Sequence, residues 1–322
     1  MLQPWLTLRI VRKQREAEDI FSFDLASPDG EPLPSFEAGS HIDVKVAEGI
    51  VRQYSLCNPS DDHRLYRIAV LRTPDSRGGS AGLTERFGEG DLVETGLPRS
   101  LFPLASSNGH SLLFAGGIGI TPILCMAERL ARTGKPFELH YAGRSRGRMA
   151  FLGHVTATPL AEHTRIYCDD EPDQPRLDLP GLLVERAADT QLYVCGPTGF
   201  MDAVLNTAMN LNWSPDRLHR EYFSAPAVLQ ADTDTAFEVQ VSSTGQRYLV
   251  PPDCSVVSVL AEHGIEVNVS CEQGVCGTCL TRVLEGEPDH RDQVLTDSER
   301  LANDQFTPCC SRSRTPVLVL DL

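Results

Sequence analysis

Five of the chain's ten cysteines lie between positions 271 and 310, and three of them stand as Cys271, Cys276 and Cys279. This Cys-x4-Cys-x2-Cys run limits what the chain can fold into more than any other feature. A single loop must bring three sulfurs to one centre, and the spacing is that of plant-type [2Fe–2S] ligation. Two irons need four terminal thiolates, so one more comes from elsewhere. Downstream, only Cys309 and Cys310 can supply it. Gly274 and Gly277 let the loop backbone curl close and aim N–H groups at sulfur. A zinc knuckle would show paired Cys-x2-Cys or Cys/His ligands, and this region has one such pair.

The rest of the chain is too long to be a single ferredoxin. Its 322 residues suggest two or three domains. Apolar residues make up 41% and charged residues 23%, enough for a sizeable core in each. The net charge of −15 argues against nucleic acid as a partner, because phosphate binding needs a basic face. The opening MLQPWLTLRIVRKQ lacks the basic, apolar and small-residue order of a signal peptide. No run reaches the roughly 18 apolar residues needed to span a bilayer. A cytoplasmic monomer without membrane contact is expected, and in that reducing compartment cysteines serve metals or packing, not disulfides. Cys57, Cys125, Cys168 and Cys254 are scattered and read as packing.

Residues 1–103 alternate like short strands (LTLRIVRK, IFSFDLAS, HIDVKVAE, RQYSLCN, YRIAVLR) and predict an antiparallel β-barrel. Residues 104–228 alternate strand and helix: SLLFAGG, ITPILCMAERLARTGK, FELHYAG, RIYCDD, QLYVCGP and GFMDAVLNTAMNLN. That pattern predicts an α/β domain with a parallel sheet. A linker over 229–236 precedes a third domain, 237–322, with a hairpin (FEVQVSS-TG-QRYLVPPD), a helix (SVVSVLAEHG), the cysteine segment and a last strand (PVLVLDL).

Four stretches in the first two domains carry chemistry. On a strand, Arg52 and Tyr54 of Arg52-Gln53-Tyr54-Ser55 share one face, so one can pair with a phosphate while the other lies against a ring. Alone, a surface Arg and a core Tyr explain the tetrapeptide as well. Arg77-Gly78-Gly79-Ser80 then leads into a helix, which is a phosphate site by geometry. Leu112 to Pro122 form a strand, a glycine turn (Gly116, Gly117, Gly119) and a helix start bearing Thr121 and Pro122. The backbone there can approach a pyrophosphate, though the third glycine of the Rossmann fingerprint is missing. Cys195-Gly196-Pro197 ends another apolar strand, and strand ends are where ligands bind in such sheets. Arg144 and Arg146 would suit a 2′-phosphate, whereas Asp169 and Asp170 would suit a free ribose; the residues leave NADH and NADPH, and likewise FMN and FAD, unresolved. Glu221 gives no decisive sign of a role.

RQYSLCN, SRGGS, GGIGITPIL, LYVCGP, LHREYF and the run CEQGVCGTCLTRVLEGEPDHRDQVLT with CCSRSRTPVLVLDL resemble the phthalate dioxygenase reductase family over nearly the whole chain. The resemblance implies three domains: an FMN-binding β-barrel, an NAD(H)-binding α/β domain and a β-grasp ferredoxin domain. It implies NADH as donor, with Cys195 beside the nicotinamide, Thr121 near the nicotinamide or the flavin, and Phe223 near the flavin ring. The last cluster ligand lies three residues before an Arg, which here is Cys309. No substrate-oxidising centre is visible, so electrons leave for another protein. By resemblance that partner is a Rieske-type terminal oxygenase acting on an aromatic acid, an O-demethylase first, with other Rieske systems and a non-catalytic redox sensor as rivals.

Overall fold

The computed structural model describes residues 5–73, 78–157, 159–171, 173, 175–223 and 234–322. Arg77, at the head of the first glycine stretch, and most of the expected linker lie outside these. The chain divides into two compact units, Met1–Glu221 and Tyr222–Leu322.

The first unit begins with the antiparallel strands β1 (Trp5–Ala17), β2 (Ile20–Ala26), β3 (Ser40–Ala47), β4 (Ile50–Ser55) and β5 (Tyr66–Leu71). Helix α1 (Gly79–Arg86) follows, then β6 (Leu92–Gly96) and the two-residue β7 (Arg99–Ser100). The strands pair in the order β4-β3-β6-β1-β2-β5, with β7 also on β3. Just past β4, Leu56 bridges to Ile68 of β5, and the Cys57 N–H donates to the Arg67 carbonyl at 2.9 Å. These bonds join the two ends of the path and close the barrel. Its inward positions, among them Leu8, Ile10, Phe23, Leu25, Ile42 and Val44, are buried.

The same unit continues through β8 (Ser111–Gly116), α2 (Ile120–Arg132), β9 (Phe137–Gly143), α3 (Leu152–Ala157) and β10 (Thr164–Cys168). It ends with α4 (Leu179–Leu183), β11 (Gln191–Cys195), α5 (Thr198–Asn210) and β12 (Leu218–Glu221). All five of these strands are parallel, in the order β10-β9-β8-β11-β12. Every residue of β8 is buried, as a central strand covered on both faces requires. Helix α2 is buried from Ile120 through Ala127 because it lies between the sheet and the barrel. Gly134, at φ 65°, closes it with Lys135 N–H bonded back to the Leu130 carbonyl. Barrel and sheet therefore share one continuous core, from Leu8 to Cys195, and form a single body with two architectures.

The second unit holds β13 (Phe237–Val241), β14 (Arg247–Val250), α6 (Val256–Glu262), β15 (Thr281–Glu285), β16 (Pro288–Asp289), α7 (Asp297–Ala302), β17 (Gln305–Phe306), β18 (Arg312–Ser313) and β19 (Val317–Leu320). Its sheet runs β14-β13-β19-β15-β17, with β13 and β19 parallel and the other pairs antiparallel. Helix α6 sets Val256, Val259 and Leu260 on this sheet, which is the β-grasp arrangement. Ser255 caps α6 through the Ser258 N–H at 3.0 Å, and a Thr296–Glu299 capping box opens α7. No helix among the described residues is long and apolar enough to cross a membrane.

Candidate functional site

The barrel edge brings the first two motif pieces together. Arg52 and Tyr54 sit on β4 opposite Val44 and Ile42 of β3. The Arg52 side chain lies against Gly79, where a Cβ would stand 2.6 Å from its Nε. Gly79 is the first residue of α1, which has no side-chain cap and follows Gly78 at φ 80°. A guanidinium thus stands beside the N–H groups of an open helix start, the donor set that suits a phosphate. Ser80 accepts a bond from the Thr73 N–H at 3.2 Å. Burial pushes the Tyr54 hydroxyl well up, so it stays neutral beside any ring it contacts. The Gln53 side chain donates to Asp43 at 3.1 Å.

The sheet edge brings the other pieces together. Cys195 pairs in register with Ala115 on one side and Glu221 on the other. The loops that follow β8 and β11 meet backbone on backbone. A Cβ at Gly119 would overlap the Cys195 carbonyl oxygen, and one at Gly196 would stand 2.9 Å from Gly116 Cα. At Gly116 a Cβ would stand 2.9 Å from Pro197. Larger residues would force these loops apart, and with them the surface offered to a pyrophosphate. Thr121 is buried and its hydroxyl donates to the Ile118 carbonyl at 3.1 Å, which leaves the oxygen as an acceptor. Pro122 occupies the first turn of α2, where no N–H is needed. The Cys195 thiol is fully buried and desolvation pushes it far up, so it is a neutral thiol and no nucleophile.

One residue that the sequence left without a role belongs here. Glu221, at the end of β12, accepts a bond from the Ser55 hydroxyl at 3.1 Å. Burial pushes its carboxyl up to about 8, with the Ser55 bond opposing, although the residue keeps some exposure. The pairing crosses 166 positions, and no local pattern could have announced it. Phe223 lies just past β12, in the second unit, and is 42% exposed.

In the second unit the cysteine loop has no helix or strand from 263 to 280. Gly274 and Gly277 take φ 74° and 65°, and Cys276 and Cys279 are buried. The Gln273 N–H donates to Cys271 Sγ at 3.3 Å, and the Thr278 N–H to Cys276 Sγ at 3.4 Å. The Cys309 sulfur lies within hydrogen-bond reach of both Cys271 and Cys279, and Cys271 within reach of Cys276. Cys310 also reaches Cys309, but its sulfur faces the Thr307 hydroxyl at 3.2 Å and fills the space beside Gly274, where a Cβ would overlap it. Four sulfurs, two of them accepting backbone N–H bonds, are a donor set that fits an iron–sulfur cluster.

A phosphate edge on a barrel, a nucleotide edge on a parallel sheet and a four-sulfur loop on a β-grasp unit define an iron–sulfur flavoprotein reductase. Comparison with known proteins agrees. Residues 239–314 match the 2Fe-2S iron-sulfur cluster binding domain. The chain is 53% identical over 306 residues to vanillate O-demethylase oxidoreductase of Pseudomonas sp. (strain HR199), covering 95% of this chain and 96% of that one. It is 39% identical to phthalate dioxygenase reductase of Burkholderia cepacia over 99% of this chain and 98% of that one. The solved structure described as phthalate dioxygenase reductase, a modular structure for electron transfer from pyridine nucleotides to [2Fe-2S], matches with TM-score 0.75 and 38% identity. It covers 99% of this chain and 98% of its own. The chain belongs to the phthalate dioxygenase reductase family. It is an oxidoreductase with a [2Fe–2S] cluster binding domain.

Proposed function

We propose that this protein is the reductase of a two-component O-demethylase of the vanillate type, and that it hands single electrons to a Rieske-type terminal oxygenase. The observation that carries this reading is full-length identity of 53% to vanillate O-demethylase oxidoreductase, against 39% to phthalate dioxygenase reductase. When bound, the flavin and cluster supply the redox chemistry, an electron pair received and single electrons released.

The residues around them bind, orient and insulate. Arg52 and the α1 N-terminus from Gly78 through Ser80 hold the flavin phosphate, and Tyr54 lies along the ring. Gly116, Gly117 and Gly119, with Thr121 and Pro122, form the pyrophosphate and nicotinamide bed, and Cys195, Gly196 and Pro197 form its other wall. Burial holds a proton at the Glu221 carboxyl near neutral pH, against the opposing bond from the Ser55 hydroxyl, next to the buried Cys195. By resemblance to the family, Phe223 would be the aromatic residue assigned to the flavin ring. Cys271, Cys276, Cys279 and Cys309 ligate the cluster, and Cys310 packs behind Gly274. In functional terms the chain reads as 1–103 for flavin, 104–228 for nucleotide, 229–236 as linker and 237–322 for the cluster. It works as a cytoplasmic monomer.

The test is reconstitution with purified oxygenase components. With the vanillate oxygenase, NADH should drive loss of the O-methyl group of vanillate at a rate proportional to added reductase. Equal or faster turnover with a phthalate oxygenase would move the partner assignment to that system.

A further inference from the structure

The nucleotide sheet ends in two loops beyond the glycine bed, and their charges are already committed to one another. Strands β9 and β10 are parallel neighbours, with Cys168 in register with Gly143. The ladder runs on past both strands, since Asp169 N–H donates to the Gly143 carbonyl at 3.1 Å and Asp170 N–H to the Arg144 carbonyl at 3.2 Å. Loop 144–148 is thereby held against loop 169–171. The first loop carries three arginines, 144, 146 and 148, at the place where an adenosine ribose falls in a sheet of this kind, beyond the strand next to the glycine turn.

Two of those arginines are tied up. Arg148 pairs with Glu18 at 2.9 Å. Arg146 meets Glu171 as a fork, Nε to Oε1 at 2.6 Å and Nη2 to Oε2 at 3.2 Å. Both donors that a guanidinium would present to a phosphate are used on a carboxylate of the same geometry. We propose that Glu171 is a coenzyme-specificity residue, which withholds Arg146 from a 2′-phosphate and so makes the enzyme prefer NADH to NADPH. Specificity of this kind comes from a repulsive element as much as from an attractive one. A 2′-phosphate entering here would have to displace Glu171 from Arg146 and lie beside the displaced carboxylate, with Asp169 and Asp170 on the same loop. A free ribose makes no such demand. The proposal rests on the NADH-oxidising role of this sheet edge and adds which residue sets the choice.

The experiment uses the whole flavoprotein. Flavin reduction is followed anaerobically with NADH and with NADPH in wild type, Glu171→Gln, Arg146→Ala and the double variant. Glutamine keeps the size and removes the charge. Glu171→Gln should raise kcat/KM for NADPH about tenfold, or about 1.4 kcal/mol, with NADH changed less than about threefold. Arg146→Ala should give no gain, and the double variant should lose the gain of the single one. Calorimetry with 2′,5′-ADP should show the same order of binding, independent of turnover. A Glu171→Gln protein that uses NADPH no better than wild type overturns the proposal. So does a gain that survives in the double variant, because the phosphate would then be using Arg144. Wild type that reduces its flavin with neither coenzyme would instead overturn the nucleotide role of the sheet.

Discussion

The nucleotide bed and the cluster loop both depend on glycine, for opposite reasons. Beside β8 and β11 the glycines are needed because backbone meets backbone, with Gly119 against the Cys195 carbonyl and Gly196 against Gly116. Both loops there are anchored on buried parallel strands, so the bed keeps its shape without a ligand. In the cluster loop the glycines are needed for left-handed backbone at 274 and 277, and the 18 positions from 263 to 280 hold no regular structure. One site is built by the sheet. The other is completed by what it binds, because four thiols crowded together lose their reason to stay so without metal.

The cluster loop is most sensitive at its cysteines. Cys309→Ser should lose the cluster's visible absorption and at least 95% of NADH-dependent cytochrome c reduction, on the order expected for a missing ligand, while flavin reduction by NADH stays within about twofold. Cys310→Ser should keep the cluster. A full cluster in Cys309→Ser would transfer the ligand role to Cys310.

Iron removal tests the same asymmetry without mutation. Chelation of the reduced protein should abolish the cooperative thermal transition of the second unit and leave that of the first within about 2 °C, since binding free energy in such a loop is folding free energy. Two transitions that fall together would show that the bed, too, depends on the metal.

Gly119→Ala sharpens the other side. Its Cβ would overlap the Cys195 carbonyl oxygen, and the two loops must part. The Michaelis constant for NADH should rise about 10- to 100-fold, with flavin content and cluster absorption intact, an effect of about 1.4 to 2.7 kcal/mol.

Local features show in the sequence, and features made by distant segments do not. The cysteine spacing, the Arg52–Ser55 strand and the glycine turn are local, so they were legible, as were α2, α5 and the β13–β14 hairpin. Strands of two residues such as β16, β17 and β18 carry too little pattern to be seen. The partnership of Ser55 with Glu221 joins a barrel strand to the last strand of the sheet and exists only after both fold. The choice between Cys309 and Cys310 depends on where each sulfur points, which adjacent identical residues cannot reveal.

Glu221 also yields a prediction about stability. Its carboxyl is raised from an ordinary 4.5 to about 8 in the fold. An acid raised on folding costs nothing below its unfolded value, and the cost grows as pH rises from about 4.5 to about 8. Glu221→Gln should therefore match wild type in stability near pH 4 and exceed it by about 2 kcal/mol at pH 8, the residue being partly exposed. Urea titrations at the two pH values check this. A variant less stable at both would mean that the Ser55 bond outweighs the desolvation.

The central claim is that an electron pair taken up at the sheet edge leaves through the cysteine loop. Anaerobic titration with NADH, following flavin and cluster absorption in wild type and in Cys276→Ser, tests it directly. Wild type should bleach both chromophores and the variant the flavin alone, with equal initial flavin rates. A wild-type cluster that stays oxidised while the flavin is fully reduced would contradict the account.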